Sequence, residues 1–453
     1  MIMDIGKIRR MLDKSGRYAD ITIEESESTT ITAVDGEVRP RQNKEPGVRV
    51  RVLNRGWGVA SSSRIGFDDA DHKDIQALSD SAERLSRVAK KDVRLADIKV
   101  RRVKSETPFR IDPLEVPIDR KVKDLKEIEK EMGIKGIKTT SAHYSDDSVR
   151  SLFISSEGAE IESRSVRCTL SAAPMAAKGA LMQRAHESTG TVEGYEIFKR
   201  AGGMGELAAK RAVALLKADV PKAGRYTVIL SNEVAGVMSH EAVGHTVESD
   251  IKGSVLENSF GKRVASDLVT IMDDPTLKAH GHYEYDDEGV KAERNVIIED
   301  GMLKGFLHSR ETAGERPGTG HPGNARAEDY SSIPQVRMSN TFFGKGDHSV
   351  DEVMDVKHGI YIRQNKGGET EPSVGSYVFF MEEGWIIKNG EMTTPLRDIV
   401  IKGSILKTLF NVEAVGKDLK IEGTGYCGKG GQLVPVSDGG PHIRISDVTV
   451  GGR

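Results

Sequence analysis

Three two-residue turns constrain the fold of this chain more than any other sequence feature. They are Asp35-Gly36, Asp300-Gly301 and Asn389-Gly390, and each lies between two stretches typical of β-strands. A type I′ turn needs positive φ at both central residues, so Asp-Gly and Asn-Gly pairs in this setting predict tight β-hairpins. We therefore expect antiparallel sheets in both halves of the chain.

The first half also contains helical patterns. Apolar residues recur at helical spacing at 5–12, 75–88 and 118–132, and a further helix is expected at 204–217. Valines alternate with arginines at 48–52, which predicts a strand with one buried face. Residues 151–156 and 161–171 are typical of a further strand pair. This half therefore mixes helices and strands.

The sequence Pro-Lys-Ala-Gly at 221–224 is the most plausible domain boundary. We predict an α+β protein, with an N-terminal α/β domain at 1–220 and a β-rich, barrel-like C-terminal domain at 221–453. In the second domain, a short apolar strand at 226–230 leads to Ser231, which can cap a helix. Val234, Val237 and Met238 would supply the buried face of that helix.

Charge, hydropathy and cysteine content disfavour several classes of protein. The net charge is −3, from 66 basic and 69 acidic residues, which disfavours nucleic acid as a partner. No run approaches the ~20 apolar residues of a membrane span, and the N-terminus lacks a signal-peptide core. We expect a cytoplasmic protein. Its two cysteines, Cys168 and Cys427, cannot form a disulfide framework, and the strand pattern around Cys168 indicates a structural thiol.

The strongest chemical signal is the motif His-Glu-x-x-x-His, formed by His240, Glu241 and His245. It is one residue longer than the His-Glu-x-x-His zinc motif, in which both histidines share a helix face. A spacing of five rotates the second ring by roughly 140° on an ideal helix. Either a π-type turn realigns the rings, or the helix ends at Gly244 and His245 swings back.

A catalytic zinc site needs a third protein ligand. The best candidate is Cys427, whose glycine-rich surroundings allow close approach of the backbone to a metal. His280 and His282, which precede an acidic stretch at 283–289, could supply the ligand instead, hold a hard cation, or simply belong to a charged turn. Glu241 directly follows the first ligand and is placed to act as a general base on a metal-activated water.

Motifs along the chain resemble those of the TldD/PmbA family, once called modulators of DNA gyrase, and specifically its TldD side. They are the His-Glu-x-x-x-His motif, Asp-Asp-Glu-Gly at 286–289, Gly-Asn-Ala-Arg at 323–326, Pro-Gln-Val-Arg-Met-Ser-Asn-Thr at 334–341, Gly-Tyr-Cys-Gly-Lys-Gly-Gly-Gln at 425–432, and the tail at 445–452. The resemblance spans nearly the whole chain. One stretch, 365–371, departs from the family's glycine-rich pattern.

This resemblance implies a zinc peptidase that acts on unfolded proteins or short peptides, including leader peptides. It implies that His240, His245 and Cys427 bind Zn²⁺ and that Glu241 is the catalytic base. It further implies an N-terminal α/β domain with a C-terminal β-barrel-like domain, and a TldE/PmbA-like partner subunit, although a homodimer is the other possibility. Strand edges suit such a substrate, because an extended peptide can pair with them through its main chain.

Two other functions compete with this interpretation. The five-residue spacing of the histidines would suit a non-catalytic peptide-binding or assembly subunit whose histidines and cysteine are structural. The older family name suggests a nucleic-acid regulator, which the near-neutral charge disfavours.

Overall fold

The computed structural model describes residues 4–67 and 72–452. The strands of the first half of the described chain are β1 (Tyr18–Val34), β2 (Glu37–Leu53), β3 (Trp57–Ser62), β4 (Arg102–Glu106), β5 (Ile137–Thr139), β6 (Ser141–Ser155), β7 (Glu160–Ala172), β8 (Met175–Lys178), β9 (Leu181–Arg184) and β10 (Glu187–Thr191). Its helices are α1 (Ile5–Leu12), α2 (His72–Val88), α3 (Ile118–Glu131), α4 (Ile197–Arg200) and α5 (Met204–Leu215).

A long hairpin forms the middle of the N-terminal sheet. Strands β1 and β2 pair along their whole length around Asp35 and Gly36, whose φ angles are 50° and 87°. The sheet runs β10-β7-β6-β1-β2-β3, and β4 pairs with β7. The predicted hairpin, the strand pair β6–β7 and the four predicted helices are confirmed. The positive φ angles explain why Asp-Gly occupies this turn.

The alternating stretch at 48–52 lies in β2, but the prediction that only one face is buried is wrong. Arg49 is 1% exposed and Arg51 is 2% exposed. Arg51 is paired with Asp20 at 2.6 Å and with Glu288 at 3.1 Å, and Glu288 belongs to the second half of the chain. That half covers the polar face of the sheet. A charged residue can be buried there because its guanidinium is fully paired.

The strands of the second half of the described chain are β11 (Gly224–Leu230), β12 (Ile271–Asp273), β13 (Asn295–Glu299), β14 (Met302–Leu303), β15 (Ala325–Arg326), β16 (Gln335–Val336), β17 (Asn340–Phe343), β18 (His358–Glu371), β19 (Ser376–Lys388), β20 (Glu391–Ser404), β21 (Val412–Val415), β22 (Lys420–Ile421), β23 (Gly425–Lys429), β24 (Gln432–Gly440) and β25 (Ile443–Gly452). Its helices are α6 (Asn232–Val237), α7 (Arg310–Glu315), α8 (Val350–Met354) and α9 (Ile405–Phe410).

Five of these strands close into a barrel. Their order is β11-β18-β19-β20-β25, and β11 closes the circle because it pairs with both β18 and β25. The α+β class and the barrel-like C-terminal region are thereby confirmed. The division at residue 221 into two domains stays a prediction.

A second sheet lies beside the barrel and includes β23, the strand of Cys427. Its order is β14-β13-β12-β17-β24-β22, and β23 pairs with β24 beyond that path. The two predicted hairpins in this half are present, with positive φ at Asp300, Gly301, Asn389 and Gly390. The second arm of the first hairpin is short, because β14 ends at Leu303 and the chain then leaves the sheet.

Strand β11 leads directly into helix α6, as predicted. The Ser231 side chain accepts a hydrogen bond from the Val234 backbone N–H at 3.4 Å and caps the helix. Val234 and Met238 are buried in the core between the barrel and the second sheet, whereas Val237 is buried but lines a cavity outside that core. Among the helices of the described chain, none combines the length and the apolar character needed to cross a membrane.

Candidate metal centre

The helix that carries the histidines changes its winding within the motif. α6 is followed by a π-helical segment, Met238–Val243, and then by a 3₁₀ turn, Gly244–Val247. A π turn bonds residues five apart, so it brings side chains at positions i and i+5 to one side. The rings of His240 and His245 accordingly lie 5.4 Å apart between centroids, at 90° to each other.

Gly244 lies where the π segment ends, but conformational freedom is not the reason for the glycine. Its φ is −52°, an ordinary helical value. A Cβ at this position would lie 1.8 Å from the Met338 Sδ atom. The glycine is needed because the helix passes directly over this methionine.

Cys427 lies in the middle of β23, in the hairpin that β23 forms with β24. Its Sγ atom is 3.5 Å from His245 Nε2. One donor atom each from His240, His245 and Cys427 lie within 4.8 Å of one another, and among the residues that the structure describes no other His, Cys or acidic side chains form such a group. Around a tetrahedral zinc ion such donors would be roughly 3.3–3.8 Å apart. The two-histidine, one-thiolate set therefore fits zinc after a small contraction.

The pKa values of the two cysteine thiols are shifted in opposite directions. Burial alone would raise the pKa of Cys427, but hydrogen bonding and charge from His240, and then from His245, lower it to about 5. Burial dominates at Cys168 and raises its pKa to about 12. A metal-binding cysteine must be a thiolate. Cys427 therefore has the ionisation state of a ligand, and Cys168 that of a structural thiol.

The pKa values of the two histidines are raised, whereas that of Cys427 is lowered. Burial alone would lower the pKa of His240, but the hydrogen bond and charge of Cys427 outweigh it and the pKa is raised. At His245 burial is likewise outweighed, first by the charge of Glu248 and then by the hydrogen bond to Cys427, so its pKa is raised well above the ordinary value. The thiolate of Cys427 and the two rings therefore stabilise each other's charged forms.

Glu241 lies at the edge of this group. Its Oε2 atom is 3.9 Å from His245 Nε2, and its side chain keeps 29% of its exposure. It is therefore close enough to reach a molecule held at the centre, and open enough for that molecule to arrive from solvent.

Two charged residues that were not expected from the sequence, Glu248 and Lys429, lie next to the ligands. Glu248 is 1% exposed and accepts a hydrogen bond from His245 Nδ1 at 3.0 Å. Lys429 Nζ lies 3.3 Å from the same carboxylate. Their closeness to the ligands in sequence could have indicated them, since Glu248 follows His245 by three residues and Lys429 follows Cys427 by two.

The competing ligands His280 and His282 are not part of the centre. His280 is fully buried, which lowers its pKa to about 3, and a ring nitrogen of His282 lies 2.6 Å from a backbone carbonyl oxygen. Asp286 accepts backbone hydrogen bonds from Glu288 at 3.0 Å and from Val290 at 2.9 Å, so its carboxylate shapes a turn. Of the alternatives considered for this segment, the charged turn matches the structure.

Comparison with protein families identifies matches along most of the chain. Residues 19–89 match domain 1 of the PmbA/TldA metallopeptidases, residues 111–216 match their central domain, and residues 223–452 match their C-terminal domain.

Curated relatives match over nearly their full length. A metalloprotease of Methanocaldococcus jannaschii is 39% identical over 98% of this chain and 99% of its own length. A metalloprotease of Methanothermobacter thermautotrophicus is 36% identical, covering 99% of this chain and 98% of the relative. A zinc metalloprotease TldD homolog of Saccharolobus solfataricus is 31% identical, with coverage of 98% and 99%.

Two solved structures share the fold. A protein of Thermotoga maritima, described as a proposed modulator of a DNA gyrase, superposes with a TM-score of 0.80 at 19% identity, covering 98% of both chains. TldE from Thermococcus kodakarensis superposes with a TM-score of 0.74 at 16% identity, covering 99% of this chain and 100% of TldE.

Proposed function

The chain belongs to the PmbA/TldA metallopeptidase family, and from this membership and the geometry of its metal centre we propose that it is a zinc-dependent peptidase that hydrolyses unfolded proteins or short peptides, leader peptides included. The observation that carries the proposal is the convergence of His240, His245 and Cys427 beside Glu241. A two-histidine, one-thiolate set suits zinc better than magnesium or calcium, because the thiolate is a soft donor.

Each residue of the centre has a role in this proposal. His240, His245 and Cys427 would hold the metal, which when bound supplies a Lewis acid that acidifies water and polarises the scissile carbonyl. The Glu241 carboxylate takes the proton of the attacking water and later delivers it to the leaving amine. Its Oε2 atom lies 3.9 Å from His245 Nε2, and Glu241 is not one of the three side chains whose donor atoms cluster, which supports a role beside the metal.

A cavity of about 330 Å³ lies beside the helix; none of the three ligands and not Glu241 lines it, and we propose that it holds a part of the peptide away from the scissile bond. Val237 lies in its wall, one helical turn before Glu241, and Asp438 borders it from β24. Two strands that end their sheets also line it, β10 through Ser188 and β22 through Lys420. A strand at the end of a sheet offers main-chain groups to an extended peptide. This mode of binding favours unfolded chains of varied sequence over folded proteins.

The alternative of a non-catalytic binding or assembly subunit loses its main support. It rested on the five-residue spacing of the histidines, which an ideal helix would separate. The π segment Met238–Val243 removes that objection, because it accommodates this spacing and places both rings at one centre.

The proposal includes a partner subunit of the TldE/PmbA type, with a homodimer as the other possibility. Its support is the likeness in fold to TldE from Thermococcus kodakarensis. The cytoplasmic location stays a prediction from the sequence.

The test separates metal binding from catalysis. Glu241→Gln keeps the shape of the side chain and removes its basicity, so the purified variant should retain about one zinc per chain and lose cleavage of casein or of short synthetic peptides. Glu206→Gln, at a half-exposed carboxylate on α5, is the matched control and should cleave normally. Normal cleavage by Glu241→Gln would refute the mechanism, and wild-type protein that binds no zinc would refute the proposed function.

A further inference from the structure

A buried charged pair connects the two segments that carry the ligands. Glu248 directly follows the 3₁₀ turn that contains His245, and Lys429 lies on β23 two residues after Cys427. Lys429 Nζ is 3.3 Å from Glu248 Oε2. Glu248 is 1% exposed and the Lys429 side chain 16% exposed, so this pair is largely shielded from water.

Lys429 is itself anchored on two sides. It donates to Asp250 Oδ1 at 2.6 Å and to the Val336 backbone carbonyl at 2.7 Å. The ammonium thus ties β23 both to the segment after the histidine helix and to β16. Movement of Cys427 away from His245 would require these contacts to break.

Glu248 determines which nitrogen of His245 faces the thiolate. Its Oε2 atom is 3.0 Å from Nδ1, and on the other side of the ring Nε2 is 3.5 Å from Cys427 Sγ. A carboxylate at Nδ1 keeps a hydrogen on that nitrogen. The lone pair of the neutral ring is then on Nε2, where a metal shared with Cys427 would bind.

We infer that Glu248 and Lys429 form a positioning pair that fixes the orientation of His245 and its distance from Cys427, and so sets the metal affinity of the centre. The inference rests on the proposed function only in taking the centre to be a metal site. Neither residue belongs to the ligand group, so their effect on the metal is exerted through His245 and Cys427.

Stability alone is a poor reason for such a pair. Burying two opposite charges costs desolvation that their attraction barely offsets, and apolar residues of similar volume often serve a fold equally well. The chain contains a more deeply buried comparison in Lys121 and Asp146, 2.6 Å apart in the N-terminal half. That pair contacts none of the three ligand residues, so its replacement measures the purely structural cost of losing a buried pair.

The experiment measures metal binding in the full-length protein. Zn²⁺ affinity is obtained by competition with a chromophoric chelator, and the Co²⁺-substituted protein reports thiolate coordination through its charge-transfer absorption. Glu248→Gln and Lys429→Met should each weaken Zn²⁺ binding by about 10–100-fold and alter the Co²⁺ spectrum, whereas Lys429→Arg should restore most of the affinity. The double variant should lose little more than either single one, since the two residues act as a unit.

The control variant Lys121→Met should lower the melting temperature and leave Zn²⁺ affinity and the Co²⁺ spectrum unchanged. Wild-type affinity in both Glu248→Gln and Lys429→Met would overturn the inference while leaving the proposed function intact. An equal loss of affinity in Lys121→Met would also overturn it, because the effect would then be one of general stability. Wild-type protein without Zn²⁺ affinity would overturn the proposed function itself.

Discussion

Removal of the metal should leave a stable thiolate at the centre. Once the proposed zinc is stripped by a chelator, Cys427 keeps His240 and His245 as hydrogen-bonding and charged neighbours, and these lower its pKa to about 5. Cys168 lacks such neighbours, and burial raises its pKa to about 12. The metal-free protein should therefore contain one thiolate and one thiol over a broad range of pH.

The ionised fraction of each cysteine follows from the two pKa values. At pH 7, two units above its pKa, Cys427 should be thiolate in about 99% of molecules. Cys168, five units below its pKa, should be ionised in about one molecule in 10⁵. The ultraviolet absorbance of thiolate should therefore rise by one equivalent near pH 5 and stay level through neutral pH.

Substitutions show which cysteine gives the absorbance step near pH 5. Cys427→Ser should abolish the step near pH 5, and Cys168→Ser should leave it in place. Joint replacement of His240 and His245 by Asn leaves burial as the dominant influence, so the midpoint should move above the ordinary value of 9.0. A wild-type midpoint near that ordinary value, or no shift in the double histidine variant, would refute the reasoning.

The same shifts set the pH dependence of stability in the metal-free protein. The lowered pKa of Cys427 contributes stability that is complete above the pKa of an unfolded cysteine and is lost as the pH falls through about 5. The raised pKa of His245 contributes stability that is complete below the pKa of an unfolded histidine and is lost as the pH rises through the folded value. Thermal melts should therefore show stability that rises as the pH increases from about 5 towards the ordinary histidine pKa of 6.5, above which the His245 contribution begins to offset the gain.

Further variants test the mechanism, the packing and the cavity. Glu241→Gln should lower kcat by about 10²–10⁴-fold at unchanged zinc content. Gly244→Ala should cost about 1–3 kcal/mol in chemical unfolding, and the double variant with Met338→Ala should lose less than the sum of the two single losses, because the clash is then removed. Ser188→Trp should raise KM for peptides at least tenfold, about 1.4 kcal/mol, and leave zinc affinity unchanged. Arg51→Met should cost about 3–5 kcal/mol, because both of its buried carboxylate partners lose their charge partner.

The sequence predicted those parts of the fold that depend on interactions between residues close together in the chain. The Asp35-Gly36 turn needs two positive φ angles, and the Ser231 cap needs only a side chain within reach of a helix start. Both requirements can be satisfied within a few residues. The burial of Arg51 has a different origin, since the carboxylate that completes its pairing lies 237 positions away.

The candidate site likewise contains residues that local sequence could predict and residues that it could not. His240, Glu241 and His245 could be proposed from one segment, because a histidine pair with an adjacent carboxylate is a local motif. Cys427 lies 182 positions from His245, and only its glycine-rich surroundings and the family resemblance pointed to it. The pairing of Glu248 with Lys429 spans 181 positions, and neither residue type is unusual on a surface, so only their closeness in sequence to His245 and Cys427 could point to them.

The spacing of the motif acquires a physical explanation from the two irregular turns. A regular α-helix would rotate His245 away from His240, and the π segment prevents this by accommodating the additional residue. The chain then tightens into a 3₁₀ turn, in which side chains at i and i+3 eclipse each other, and this places Glu248 against His245. One turn thus brings the two rings together, and the next supplies the carboxylate that orients the second ring. The five-residue spacing and the acidic residue three positions later are therefore parts of one structural device.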